Sequence, residues 1–214
     1  MTVVAPAILT ETEADYKTSV ERLSSFAQRV HIDLTDGQFA PTFTVGVDKL
    51  WWPQEWTVDI HAMVAQPSQY VDQLIALKPH LIIFHAEAGE DLTPIIQRIK
   101  QAGIKAGVAL LKTTVPSTAK EYVELADHVM IFTGTLGKYG GEASMMQLEK
   151  VRLVRAIHPT VEIGWDGGAN VENVYSLSQG TVDVVNVGGT INSADDPEAV
   201  YTQMVNEINK HGVI

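Results

Sequence analysis

Eight short runs rich in β-branched residues punctuate this chain, at 3–9, 29–33, 57–63, 80–85, 105–109, 128–132, 161–164 and 182–187, and helical patterns separate them. The stretch TETEADYKTSVERLSSFAQ (10–28) carries a Thr cap and apolar residues at helical spacing. QPSQYVDQLIALK (66–78) places Pro67 in a first turn, and EDLTPIIQRIKQAG (90–103) ends on a C-capping glycine, Gly103. Segments 114–127, 144–158, 170–180 and 195–212 continue the series, whereas VGVDKLWWPQEW (45–56) allows at most a short helix. Strands that alternate with helices lie parallel and are joined by right-handed crossovers. Eight such units of about 27 residues match a compact α/β architecture, the (β/α)8 TIM barrel. No linker, charge block or low-complexity tract interrupts the chain, so residues 1–214 read as a single barrel domain. A doubly wound open sheet is the rival, but no G-x-G-x-x-G follows the first strand.

At 45% hydrophobic and 19% charged residues, the composition supports an ordinary globular core. The apolar runs are far too short to span a bilayer, and MTVVAPAILTETEAD lacks the basic start and long apolar stretch of a signal peptide. The absence of cysteine excludes disulfides and thiolate metal sites and is compatible with a cytoplasmic location. A formal net charge of −11 opposes nucleic acid and anionic membranes as partners. An anionic substrate would have to be held locally, by backbone N–H groups.

Chemistry on this barrel takes place at the C-terminal rim of the strands. Strand 1 ends at Thr10, strand 2 with His31 and Asp33, and strand 3 with His61 and Met63. Strand 4 ends at His85, followed by Glu87; strand 7 ends at Asp166 and strand 8 in NVGGT. Residues two apart on a strand share a face, so His31 and Asp33 point the same way. A lone rim histidine is more often structural than ligating, Asp36-Gly37 reads as a turn, and His85 divides evenly between structural and functional readings. Two His and two Asp at one mouth are another matter, because unpaired they would be costly to bury. One divalent cation compensates all four, which makes His31, Asp33, His61 and Asp166 the candidate metal ligands. The set suits Zn²⁺, Fe²⁺, Mn²⁺ or Co²⁺ without choosing among them.

WDGGAN (165–170) and NVGGTINSADD (186–196) close strands 7 and 8. Gly167, Gly168, Gly188 and Gly189 let the backbone approach an anion, with a short helix starting near Gly189. One Gly-Gly pair is better read as a tight turn; two, after these two strands, favour phosphate. TGTLGKYGGEAS (133–144), after strand 6, has the length of a mobile lid, with Gly141 within it and Lys138 facing solvent.

PAILT (6–10), HIDLTDGQFAP (31–41), DIHAMVAQPSQYV (59–71), FHAEA (84–88), WDGG (165–168) and VGGTINSADDP (187–197) together resemble the ribulose-phosphate 3-epimerase family over essentially the whole chain. The combination of H-x-D-x-x-D-G, a strand-3 His-x-Met and a strand-7 Asp-Gly-Gly is specific; any one alone is not. The resemblance implies a metal-dependent isomerase that interconverts D-ribulose 5-phosphate and D-xylulose 5-phosphate. It implies His31, Asp33, His61 and Asp166 as metal ligands, and Asp33 and Asp166 as an acid–base pair working from opposite faces through a metal-stabilised enediolate. Met63 and Met130 correspond to an apolar wall around that species. With the reading above, Thr10, His61, Met63, Gly141, Gly167, Gly168, Gly188 and Gly189 become the candidate substrate contacts.

The chain also departs from the family. Thr35 stands where a Met is common, Thr10 and Gly189 stand where Ser is frequent, and the 133–144 loop is longer than the usual Pro-Gly-Phe-Gly-Gly-Gln type and lacks its Pro and Phe. These departures leave open a 6-phosphorylated ketohexose, such as allulose 6-phosphate, as substrate. A non-catalytic sugar-phosphate-binding barrel is the reading from another class, and the retained carboxylates argue against it. A decarboxylase or aldolase relative is weaker, since Lys105 begins its strand and Lys112 lies beyond one. Trp51, Trp52 and Trp56 either offer a homo-oligomer interface or pack the short second helix onto the barrel.

Overall fold

The computed structural model describes residues 1–210. Strands β1 Val3–Ile8, β2 Arg29–Thr35, β3 Thr57–Met63, β4 Leu81–His85, β5 Lys105–Leu110, β6 His128–Phe132, β7 Glu162–Asp166 and β8 Val184–Val187 pair in parallel in sequence order, and β8 closes on β1. All eight expected strands form. Helices α1 Glu13–Leu23, α2 Val71–Leu77, α3 Thr93–Gln101, α4 Lys120–Leu125, α5 Glu149–Ile157, α6 Val174–Gln179, α7 Gly189–Asn192 and α8 Pro197–Ile208 make the outer layer. The Thr12 hydroxyl caps α1 by accepting from the Asp15 N–H, and the Asp196 carboxylate caps α8 by accepting from the Ala199 N–H. After β2 the chain makes a single 3₁₀ turn, Val47–Lys49. In the segment that follows, Trp56 is buried, and the half-exposed Trp51 meets Tyr16 edge-on while its carbonyl accepts from the Tyr16 hydroxyl at 2.7 Å. No helix among the described residues is long and apolar enough to cross a membrane.

Strand parity sorts the side chains into two sets. In β2, Val30, Ile32 and Leu34 belong to the apolar layer between barrel and helices, which leaves Arg29, His31 and Asp33 for the barrel interior. A separate apolar cluster of Leu81, Ile83, Ala109, Met130 and Phe132 fills that interior. The interior is therefore polar at both ends and apolar between them.

The floor of the barrel is an ion network. Arg29 donates Nε to Asp59 at 2.6 Å and its two terminal nitrogens to the two oxygens of Glu162 at 2.9 and 2.8 Å. Glu162 also meets His128 Nδ1 at 2.8 Å. The planar guanidinium fork suits this two-oxygen grip, which an ammonium could not reproduce. Burial works against the Glu162 anion, yet the bonds from Arg29 and His128 hold its carboxyl well below the usual carboxylate range. Such a depressed group contributes stability that is present above its unfolded-state pKa, about 4.3, and is lost as pH falls toward its folded value. Glu162→Gln is therefore expected to lower the unfolding free energy by about 3 kcal/mol at neutral pH. Urea denaturation should show that difference shrinking below about pH 4; a pH-independent difference would contradict the ionic account.

Candidate active site

β2 and β3 are in register along their length, with Asp33 opposite His61, and β7 pairs Asp166 with Phe132 on one side and Asn186 on the other. Parallel pairing brings these C-terminal ends to one rim, where His31, Asp33, His61 and Asp166 each offer a donor atom within 4.8 Å of the others. His61 Nδ1 lies 2.8 Å from Asp33 Oδ1 and 3.5 Å from Asp166 Oδ2; His31 Nε2 lies 3.3 and 3.8 Å from the same two oxygens. All four residues are largely shielded from solvent, His31 and His61 completely.

These residues fit a divalent ion. Bonds of about 2.0–2.2 Å from imidazole nitrogen and carboxylate oxygen put neighbouring donors roughly 2.8–3.6 Å apart, close to the separations here. His31 Nε2 is buried with no hydrogen-bond partner, although it faces two carboxylates. Without compensation such a group would carry the full cost of desolvation. The donor set of two imidazoles and two carboxylates does not select one first-row metal.

The two carboxyls are held in unlike states. Burial opposes the Asp33 anion, but the charge of the adjoining His31, with His61 beside it, holds this carboxyl far below its usual range. Asp166 is pushed up to about 7 by burial and by the neighbouring Asp33 charge. His61 is drawn down to about 3 by burial, whereas for His31 the adjoining carboxylates outweigh burial and raise it. The two carboxyls are thus shifted in opposite directions before any ion is bound.

A cleft of about 600 Å³, counting its open mouth, adjoins the cluster and is lined by Asp33, Met63, Phe132 and Asp166 at its inner end. Gly141, Gly167, Gly168, Gly188 and Gly189 line it farther out, together with Lys138 and Tyr139. Thr10 is outside this lining, its Oγ1 buried without a hydrogen bond. Met130 lies in the apolar filling instead of on the wall, accepting from Asn186 Nδ2 at 3.3 Å. Asp36 is a turn residue: one carboxylate oxygen accepts from Gln38 N and Phe39 N and the other from Ala65 N.

The 133–144 segment is docked over the cleft at two points. The Tyr139 hydroxyl accepts from Leu9 N at 2.5 Å and donates to Ala7 O at 3.3 Å; Thr42 Oγ1 donates to Gly137 O at 3.2 Å. Gly188 makes room for the tyrosine, since a Cβ there would come within 2.6 Å of its ring. Gly167, at φ +112°, lies where a Cβ would be 2.0 Å from Gly134 N, so the base of the loop packs directly on the β7 turn. Lys138 is exposed, as expected from the sequence, and also borders the cleft. Thr35 is buried and donates its N–H to Thr44 Oγ1 at 3.0 Å. The sequence reading missed Phe132, Asn186 and the docking role of Tyr139. Tyr139 carries a signal, as an amphipathic ring flanked by glycines. Phe132 and Asn186 look like ordinary strand residues.

Addition of Mn²⁺ at about 100 times its Kd is expected to stabilise the folded protein by about 2.7 kcal/mol, and Asp33→Asn to remove most of that gain. Thermal denaturation with and without a chelator measures this; an unfolding midpoint indifferent to the ion would contradict the assignment of the cluster.

The model of the ribulose-phosphate 3 epimerase family matches residues 3–192. The chain is 31% identical over 215 residues to the ribulose-phosphate 3-epimerase of Schizosaccharomyces pombe, covering 97% of this chain and 94% of that protein. It is 29% identical over 210 residues to a protein of Oryza sativa named ribulose-phosphate 3-epimerase, cytoplasmic isoform, covering 94% and 92%. Among solved structures, 3-hexulose-6-phosphate synthase from Salmonella typhimurium aligns with a TM-score of 0.74 at 16% identity over 99% of this chain and 100% of that one. That distant structural likeness speaks to the fold alone. The family model, by contrast, matches the chain from its first strand through helix α7, and the relatives cover nearly all of it; on that ground it belongs to the ribulose-phosphate 3-epimerase family.

Proposed function

We propose that this protein is a metal-dependent ketose-phosphate 3-epimerase acting on D-ribulose 5-phosphate and D-xylulose 5-phosphate. The observation that carries the reading is the pair of buried carboxyls, Asp33 and Asp166, brought together with two imidazoles in one cluster beside a cleft edged by glycine loops. Inverting the carbon next to a ketone requires a base on one face and an acid on the other at the same time. Asp33 takes the C3 proton in one direction while Asp166 gives a proton to the opposite face, and the roles exchange in reverse. His31, Asp33, His61 and Asp166 would hold the divalent ion, which when bound supplies Lewis-acid polarisation of the ketone oxygen. Met63 and Phe132 form an apolar border that limits water beside the reacting carbon.

The glycine backbone at 140–141, 167–168 and 188–189 receives the phosphate, and Lys138 supplies a cation that a chain of net charge −11 otherwise withholds. Tyr139, latched to β1, closes the far wall. The cysteine-free composition and the name of the rice relative support a cytoplasmic setting. A second reading keeps the mechanism and takes a 6-phosphorylated ketohexose. It rests on Thr35, a smaller side chain than the family's usual Met, and on the divergent lid to which Thr42 is bonded.

The test is solvent exchange. Incubation of the metal-loaded protein with ribulose 5-phosphate in D₂O is expected to place deuterium at C3, and Asp166→Asn to slow turnover by at least ~10²-fold. Unlabelled pentulose alongside labelled hexulose phosphate would establish the second reading; no label in either would leave only a binding protein. Tyr139→Phe removes a hydroxyl worth about 1 kcal/mol and is expected to raise KM about five-fold with kcat little changed. Steady-state kinetics measures the split, and an unchanged KM would deny the latch a part in binding.

A further inference from the structure

His85 and Glu87 lie behind the cluster, and the chemistry proposed above uses neither. His85 is fully buried, with Phe39 and Phe132 packed on its ring at centroid distances of 4.8 and 5.3 Å. Its Nε2 is 2.8 Å from His61 Nε2, and its Nδ1 is 3.3 Å from Glu87 Oε2. Glu87 is anchored at its other oxygen by the Leu111 N–H at 3.0 Å. The buried Lys150 ammonium, which donates to the carbonyls of Leu111 at 2.6 Å and Lys112 at 3.0 Å, places a positive charge on this side of the barrel.

The side chains form a row of three contacts: Asp33 with His61, His61 with His85, and His85 with Glu87. Both ends are carboxylates, which only accept, and two neutral imidazoles bring two N–H groups. Two protons cannot serve three contacts. Donating both outward to the carboxylates would set the two Nε2 lone pairs against each other at 2.8 Å, which leaves two directions for the row. In one, His61 donates Nδ1–H to Asp33 and accepts from His85, whose Nδ1 then turns a lone pair toward the Glu87 anion. In the other, His85 donates Nδ1–H to Glu87 and accepts from His61 Nε2–H. His61 Nδ1 then presents its lone pair where the oxygens of Asp33 and Asp166 converge, at 2.8 and 3.5 Å. A lone pair among anionic oxygens is the environment of a cation, and the second direction satisfies every contact once a cation stands there.

We infer that Glu87, acting through His85, fixes His61 as the Nε2–H tautomer and so keeps Nδ1 free to ligate the metal. Both are positioning residues, and the inference rests on the metal reading of the cluster. A ligating histidine braced by a carboxylate through its far nitrogen is a recurrent arrangement; here a second imidazole carries the brace one ring farther. His31 has no such support, its Nδ1 being buried without a partner, so tautomer control falls on His61.

Co²⁺ binding, read from the visible spectrum and by competition with a chelator, tests this on the wild-type protein and Glu87→Gln. The glutamine can turn its NH₂ toward His85 Nδ1 and reverse the row. We expect Co²⁺ to bind 10- to 100-fold more weakly, while the metal-free protein unfolds at nearly the wild-type midpoint. Equal affinity in the two proteins overturns the brace alone; a wild-type protein that does not bind Co²⁺ overturns the metal reading and the brace with it. Imidazole ¹⁵N shifts of the Zn²⁺-loaded wild-type protein give a measurement independent of any variant. They are expected to show His85 protonated at Nδ1 and His61 at Nε2, and His85 protonated at Nε2 overturns the inference.

Discussion

Two carboxylates buried side by side repel each other, and the mouth of this barrel is organised around that repulsion. Asp33 and Asp166 come from strands far apart in the sequence, and β-pairing brings their oxygens into reach of the same two imidazole nitrogens. Neither carboxyl can be moved without shifting a whole strand, because the side-chain period of a strand is two and each neighbour is in register. The strain is relieved partly by inequality, one group ionised and the other drawn toward neutral pH, and fully by a cation. In the proposed function, the site for proton transfer and the site for the metal are one electrostatic arrangement.

The barrel interior shows how far sequence periodicity carries and where it stops. The alternation of eight strand runs with helical segments was legible because parallel strands require crossovers, and the weak helix signal after β2 corresponds to a single 3₁₀ turn. The charged floor lies at the opposite, N-terminal ends of the strands, away from the rim where chemistry is expected. Arg29 lies two residues before His31 and Asp59 two before His61, so the parity that put the histidines inside puts these charges inside as well. Glu162 and His128 complete the network from β7 and β6, and pairings that distant in sequence cannot be read from local pattern.

At the mouth, the four clustered side chains were readable because His-x-Asp on one strand is an improbable pair to bury unassisted. The lid was harder. Glycines mark a loop but not where it docks, and nothing in TGTLGKYGGEAS says that its tyrosine bonds to the backbone of β1 or that Thr42 holds Gly137 from the other side. Thr10 reads as a rim hydroxyl because it follows the first strand; the strand ends at Ile8, and Leu9 and Ala7 face the cleft instead. His85 and Glu87 were visible as residues, but their meaning depends on a 2.8 Å contact between two imidazoles that only the folded chain makes.

The central claim is that one cation is shared by four side chains from three strands, between the two carboxyls that move protons. Crystals grown with Mn²⁺ and measured for anomalous scattering test it most directly. The account predicts one strong peak within about 2.3 Å of His31 Nε2, His61 Nδ1 and an oxygen each of Asp33 and Asp166. A peak elsewhere, or a cluster that stays empty at saturating Mn²⁺, would contradict it.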